Sequence, residues 1–151
     1  MSGMARVKQA AAPAASELLV PARRSELGIA RKFAGDVATK FGLDASTRYE
    51  FVYAVNEAVT NAIKHGASDE EGMIHLRIVA QADRLTFAVH DRGTFTMPVL
   101  DSDATSEGGR GLALMASLVD EVELHIGPGG TTVRLHKTRP SENGHTWEAV
   151  G

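Results

Sequence analysis

Apolar residues recur along the chain at two different periods, and the changes of period divide it into elements. Glu17-Leu18-Leu19-Val20-Pro21 is a short apolar run, expected at a sheet edge because Pro21 has no amide hydrogen to offer a neighbouring strand. From Arg23 to Phe41, Leu27, Ala30, Phe33, Val37 and Phe41 recur at three- and four-residue spacing. Gly42 follows as a stop, which predicts a first helix. Asp44 or Ser46 can cap a second helix that ends at Gly66. The period falls to two over 73–79 and 85–90, predicting two strands joined by a turn at Gln81-Ala82-Asp83-Arg84. Leu112, Met115, Ala116 and Val119 mark a third helix. Val122 to Ile126 and Thr131 to Leu135 then form a last hairpin around Pro128-Gly129-Gly130.

Between Arg92 and Gly108 no period is visible, and Asp, Ser, Thr and Gly are frequent. A loop of that length in a compact domain is either a functional lid or disordered. Met97, Val99 and Leu100 within it suit packing over a ligand, contact with a partner, or folding onto the core. The order strand, helix, helix, strand, strand, loop, helix, strand, strand predicts an α+β fold. Its form is a two-layer α/β sandwich, a mixed and mostly antiparallel sheet with helices on one face. Residues 1–16, rich in small side chains, are expected to be disordered, and the polar stretch 139–151 to be a flexible tail, leaving 17–138 as one domain. Trp147 in that tail carries no assignment.

Composition narrows the function classes. There are no cysteines, which excludes disulfides and cysteine-based zinc sites and agrees with a reducing, cytoplasmic setting. The 16 basic and 19 acidic residues give a net charge of −3, too balanced for nucleic acid to be the main partner, so proteins or small molecules are expected. The Ala-rich start is broken by Pro13 and lacks the hydrophobic region of a signal peptide. No apolar run approaches the roughly 20 residues of a membrane span, and a soluble protein is expected.

Three segments carry candidate chemistry. In the second helix Glu57 and Asn61 stand four residues apart, hence about 40° apart around the axis. With Glu57 at zero, Val52, Val55, Val59, Ala62 and Ile63 fall at roughly 140 to 240°, so the polar pair faces away from the expected core stripe. Any amphipathic helix has such a face. Asp91 closes an apolar strand, and Arg92-Gly93 lets the chain turn there, so its carboxylate could enter a cleft and accept a hydrogen bond from the exocyclic amine of a base; a turn-forming Asp has the same local signature. Gly108-Gly109-Arg110-Gly111 opens a helix, where amides and the helix end favour an anion and Arg110 adds a forked cation. A flexible hinge would read the same way. Lys64 and His65 at a helix end have ordinary dipole roles. His75, His90, His125 and His136 lack ligand spacing and are expected to be structural.

Taken together, Asn56-Glu57-Ala58-Val59-Thr60-Asn61-Ala62-Ile63-Lys64-His65-Gly66, Asp91-Arg92-Gly93 and Gly109-Arg110-Gly111-Leu112-Ala113-Leu114-Met115 resemble the N, G1 and G2 boxes of the GHKL (Bergerat-fold) ATPases, and most of all those of the bacterial anti-sigma factor serine/threonine kinases. The resemblance spans about Leu18 to Lys137. It implies ATP and Mg²⁺ as cofactors, with Asn61 on the metal, Asp91 on the adenine amine and Gly93 allowing close approach of the base. It further implies Gly109, Arg110 and Gly111 around the phosphates, Leu112 as a further cofactor contact, Thr132 as a looser nucleotide contact, and Glu57 as the general base for a substrate serine. Phe95 stands where many members have a second glycine, which bears on the shape of the lid. The implied partners are an alternative sigma factor and a STAS-type anti-sigma-factor antagonist, the latter as substrate, and the implied assembly is a homodimer. The alternatives are a module that binds ATP and acts by contact alone, and a histidine-kinase ATPase domain, although no helical domain carrying a phosphorylated histidine fits in this chain.

Overall fold

The computed structural model describes residues 14–66, 72–92 and 107–140, with the side chains of residues 65, 66 and 107–110 outside that description. Residue 93, the segment through 106 with its three apolar lid candidates, and the tail with Trp147 lie outside the described residues.

The elements follow the expected order: β1 (Ala14–Pro21), a 3₁₀ turn (Arg24–Glu26), α1 (Leu27–Phe41), α2 (Ala45–Asn61), a π-helical turn (Ala62–Gly66), β2 (Met73–Gln81), β3 (Arg84–Asp91), α3 (Glu107–Leu118), β4 (Glu121–Gly127) and β5 (Gly130–Thr138). The strands form one sheet in the order β1-β2-β3-β5-β4. Its pairings are antiparallel throughout, where a mixed sheet was expected. β1 is an edge strand, as Pro21 requires, but it begins at Ala14, because the backbone of 14–16 continues the ladder against Ile78 to Ala80.

Local chemistry accounts for the ends of the helices. Asp44 caps α2 by accepting the Thr47 N–H at 2.8 Å, and Gly42 ends α1 in the left-handed region at φ 93°. No side chain caps α1, and its entry is the 3₁₀ turn rather than an α-helix starting at Arg23. The first residue of the expected tail is also docked: the Arg139 guanidinium donates to the Phe41 carbonyl at 2.7 Å and lies 4.7 Å from that ring's centroid.

The Asp44 carboxyl is held below its usual range, chiefly by the Thr47 backbone N–H. A depressed carboxylate contributes stability that is present above 3.8, its ordinary value, and is lost as pH falls through the lower folded value. Asp44→Ala is therefore expected to lower the melting temperature near neutral pH, with the gap from wild type closing below pH 3.8. Circular dichroism melts across that range check it, and a gap independent of pH would contradict the cap.

One face of the sheet carries the core. Ile74, Leu76, Ile78, Leu85, Phe87, Val89, Val133 and Leu135 alternate inward to meet the helices. Ala30, Ala34 and Ala38, each four residues apart, are fully buried, and their small size lets α1 lie close to its neighbours. Lys137 shares this inward face and is buried. Its ammonium is satisfied by Glu50 Oε1 at 2.9 Å and the Leu118 carbonyl at 2.6 Å, which ties β5 to α2 and to the end of α3.

The stripe of α2 differs from expectation. Buried Thr47, Phe51, Ala54, Val55, Ala58, Val59 and Ala62 span roughly 60 to 200° from Glu57 at 100° per residue. Val52 and Ile63 are only partly buried. The cause is that α2 packs against α1, α3 and the sheet at once. The stripe is thereby turned toward Asn61, which sits at its margin.

Candidate nucleotide site

Asn61 is the last residue of α2, immediately before the chain widens into a π-helical turn that packs against β3. Such turns are rare and concentrate at functional positions. α3 crosses α2 here, and Gly111 is buried against the Asn61 amide: a Cβ at Gly111 would lie 3.1 Å from Asn61 Nδ2 and 3.4 Å from Oδ1. The N and G2 segments are thus in direct contact. Glu57, one turn earlier, is half-buried, and its carboxylate has no hydrogen-bond partner among the described residues. Its neighbour Asn56 accepts from Arg31 Nη1 at 2.9 Å, which ties this stretch of α2 to α1.

α3 begins at Glu107, so the Gly-rich segment forms the first turns of a helix instead of a loop ahead of one. By helix geometry the first four N–H groups have no acceptor within the helix, and in α3 they belong to residues 107–110. Gly109 and Arg110 therefore sit at a helix N-terminus suited to anions. Leu112 is partly buried and packs on the core. Gly93 lies outside the described residues.

Asp91 ends β3 on the inward face in phase with Leu85, Phe87 and Val89, and it is 3% exposed. Directly opposite in register is Thr131 at the start of β5, 2% exposed, whose Oγ1 has no hydrogen-bond partner among the described residues. A buried hydroxyl left unpaired costs about 1–3 kcal/mol, so an orphan beside a buried carboxylate points to a polar group supplied by a ligand. An adenine edge, with its amine and ring nitrogens, fits that pair.

Thr132 does not join this group. It lies on the open face of the sheet, with its hydroxyl 2.8 Å from His90 Nδ1. Adjacent strand residues point to opposite faces, and Thr131 is in phase with inward Val133 and Leu135. That parity was readable in the sequence, and it puts Thr131, not Thr132, on the inward face with Asp91.

The open face also gathers four histidines. His75 meets Glu17 at 2.7 Å, His125 meets Glu123 at 3.0 Å, and His136 is buried between Glu123, Thr86 and Arg84. Glu121, Glu123 and His136 offer atoms within 4.8 Å of one another. The Arg84 guanidinium, however, donates to His136 Nδ1, so Nε2 donates to Glu123 and both ring nitrogens are already engaged within the protein. Hydrogen bonds from His125 first, and then His136, hold the Glu123 carboxyl below its usual range. No described helix is long and apolar enough to cross a membrane.

Residues 20–137 match the family of histidine kinase-like ATPase domains. The chain is 34% identical over 136 residues to the serine-protein kinase RsbW of Bacillus pumilus, covering 80% of this chain and 83% of that protein. It is 33% identical over 93 residues to the anti-sigma F factor of a Thermoanaerobacter species, covering 56% of this chain and 65% of the relative. Its fold superposes on a structure of the RsbU and RsbW domains of Rv1364c from Mycobacterium tuberculosis with a TM-score of 0.66 and 26% identity, covering 85% of this chain and 34% of that one. An open antiparallel sheet with helices on one face, the N and G2 segments in contact and sequence agreement across the whole folded part lead to one assignment: the chain belongs to the histidine kinase-like (GHKL) ATPase family.

Proposed function

We propose that the chain is an ATP-dependent protein serine/threonine kinase and anti-sigma factor. In this reading it holds an alternative sigma factor, phosphorylates a STAS-type anti-sigma-factor antagonist, and works in the cytoplasm as a homodimer. The observation that carries the reading is the grouping around one end of α2. Gly111 lies on Asn61, the π-helical turn that follows Asn61 packs on β3, the strand that ends in the buried Asp91, and Glu57 stands one turn earlier in α2. The names of the relatives supply the direction of the chemistry, as serine-protein kinases and anti-sigma factors.

Within this reading Asp91 accepts a hydrogen bond from the adenine amine, and Thr131 Oγ1 gains the partner it lacks. The N-terminus of α3, with Gly109, Arg110 and Gly111, receives the phosphates, and Gly93 leaves room for the base. A Mg²⁺ ion held through the Asn61 side chain would neutralise phosphate charge. Glu57 takes the hydroxyl proton of the substrate serine while that oxygen attacks the γ-phosphorus, the bond to the bridging oxygen breaks and ADP leaves. Phosphoryl transfer asks a protein mainly for position and charge, which a rigid helix end supplies.

Incubating the chain with γ-labelled ATP, Mg²⁺ and a purified STAS-type antagonist from the same genome tests this directly. Label on an antagonist serine or threonine is the expected outcome. ATP binding without transfer would instead favour the module that acts by contact alone.

A further inference from the structure

Three glycines stand in and beside the turn between β4 and β5, and they are not equivalent. A Cβ on Gly127 or Gly129 would meet nothing within 4 Å. Gly130 has φ +125°, and a Cβ there would stand 1.9 Å from the Asp91 carbonyl oxygen, 2.9 Å from its carbonyl carbon and 2.8 Å from the Arg92 Cα. All three neighbours are backbone, so no rotamer change can make room. To restore an ordinary contact of about 3.5 Å the end of β3 would have to move on the order of 1.5 Å.

We infer that Gly130 is the positioning residue for Asp91: its missing side chain lets the backbone leaving β3 lie against the start of β5, which sets Asp91 opposite Thr131 in the ladder. The inference rests on the proposed adenine role of Asp91. A hydrogen bond works over donor to acceptor distances of about 2.7–3.2 Å, so a displacement of the size Gly130→Ala demands breaks the contact with the base while leaving the phosphate end of the site, built on α2 and α3, in place.

The readout is nucleotide discrimination, because ITP carries an oxygen in place of the exocyclic amine of ATP. Wild-type protein is expected to bind ATP at least about tenfold more tightly than ITP, the loss of one charge-assisted hydrogen bond. In Gly130→Ala the ATP to ITP ratio should collapse to within about threefold, whereas Gly129→Ala should keep the wild-type ratio. A folded Gly130→Ala protein with an undiminished ratio would overturn the inference and leave the adenine role of Asp91 standing. Wild-type protein that does not discriminate would overturn both. Should Gly130→Ala fail to fold, ¹⁵N-glycine-labelled wild-type protein carries the test: the Gly130 amide resonance is expected to shift on adding ATP and much less on adding ITP, and a Gly130 resonance unmoved by ATP would overturn the inference.

Discussion

Glu57→Gln is expected to lower phosphate transfer to the antagonist by about 10²- to 10⁴-fold while leaving ATP affinity within about threefold of wild type. The carboxylate lies outside the buried stripe of α2, half-exposed and without a hydrogen bond among the described residues, so replacing it removes a proton acceptor and little packing. Gln preserves shape and cannot take the proton. Stability should therefore change by no more than about 0.5 kcal/mol, and the separation of transfer from binding distinguishes a base from a nucleotide contact. Single-turnover transfer from labelled ATP, beside calorimetry on the same preparation, measures both. Undiminished transfer would remove Glu57 from the chemistry.

Asp91→Asn should act on the other quantity. A buried carboxylate accepting from an amine is a charge-assisted bond, and the amide replacing it is weaker as an acceptor and brings a donor to the same position. ATP affinity is expected to fall by about 10- to 100-fold, read by calorimetry, with the melting temperature recorded alongside because Asp91 is 3% exposed. Transfer at saturating ATP should recover toward the wild-type rate, since in the proposed site α2 and α3, not Asp91, position the γ-phosphate. If the Asp91→Asn protein binds ATP as tightly as wild type, the base is recognised elsewhere.

Punctuation by single residues was legible in the sequence because its causes are local. Pro21 cannot donate a hydrogen bond and lies in an edge strand, Gly42 takes a left-handed conformation after α1, and Asp44 reaches the N–H three residues ahead. The candidate site was legible in part for the same reason: Asn61 and Gly111 come from motifs whose spacing survives without any knowledge of packing, and the structure puts these two residues in contact. The orientation of α2 was not legible. Periodicity reports one apolar direction, and α2 packs on two helices and the sheet, so Phe51, Ala54 and Ala58 joined the buried set and turned it toward Asn61. The choice between Thr131 and Thr132 depends on which face of β5 is inward. The resemblance implies Thr132, while the strand's own alternation with Val133 and Leu135 puts Thr131 on the face that Asp91 shares. The long contact between Gly130 and the end of β3 joins residues thirty-nine apart, a closeness that turn chemistry alone does not reveal.

The central claim is that the end of α2 and the neighbouring strand ends form one site for ATP and a divalent cation. Calorimetric titration of wild-type and Asn61→Ala proteins with ATP, with and without Mg²⁺, tests it most directly. Wild-type protein is expected to bind ATP more tightly when Mg²⁺ is present, and Asn61→Ala to lose that dependence while it retains residual binding through the Asp91 end. Absence of ATP binding by the wild-type protein, or an equal response of both proteins to Mg²⁺, would contradict the account.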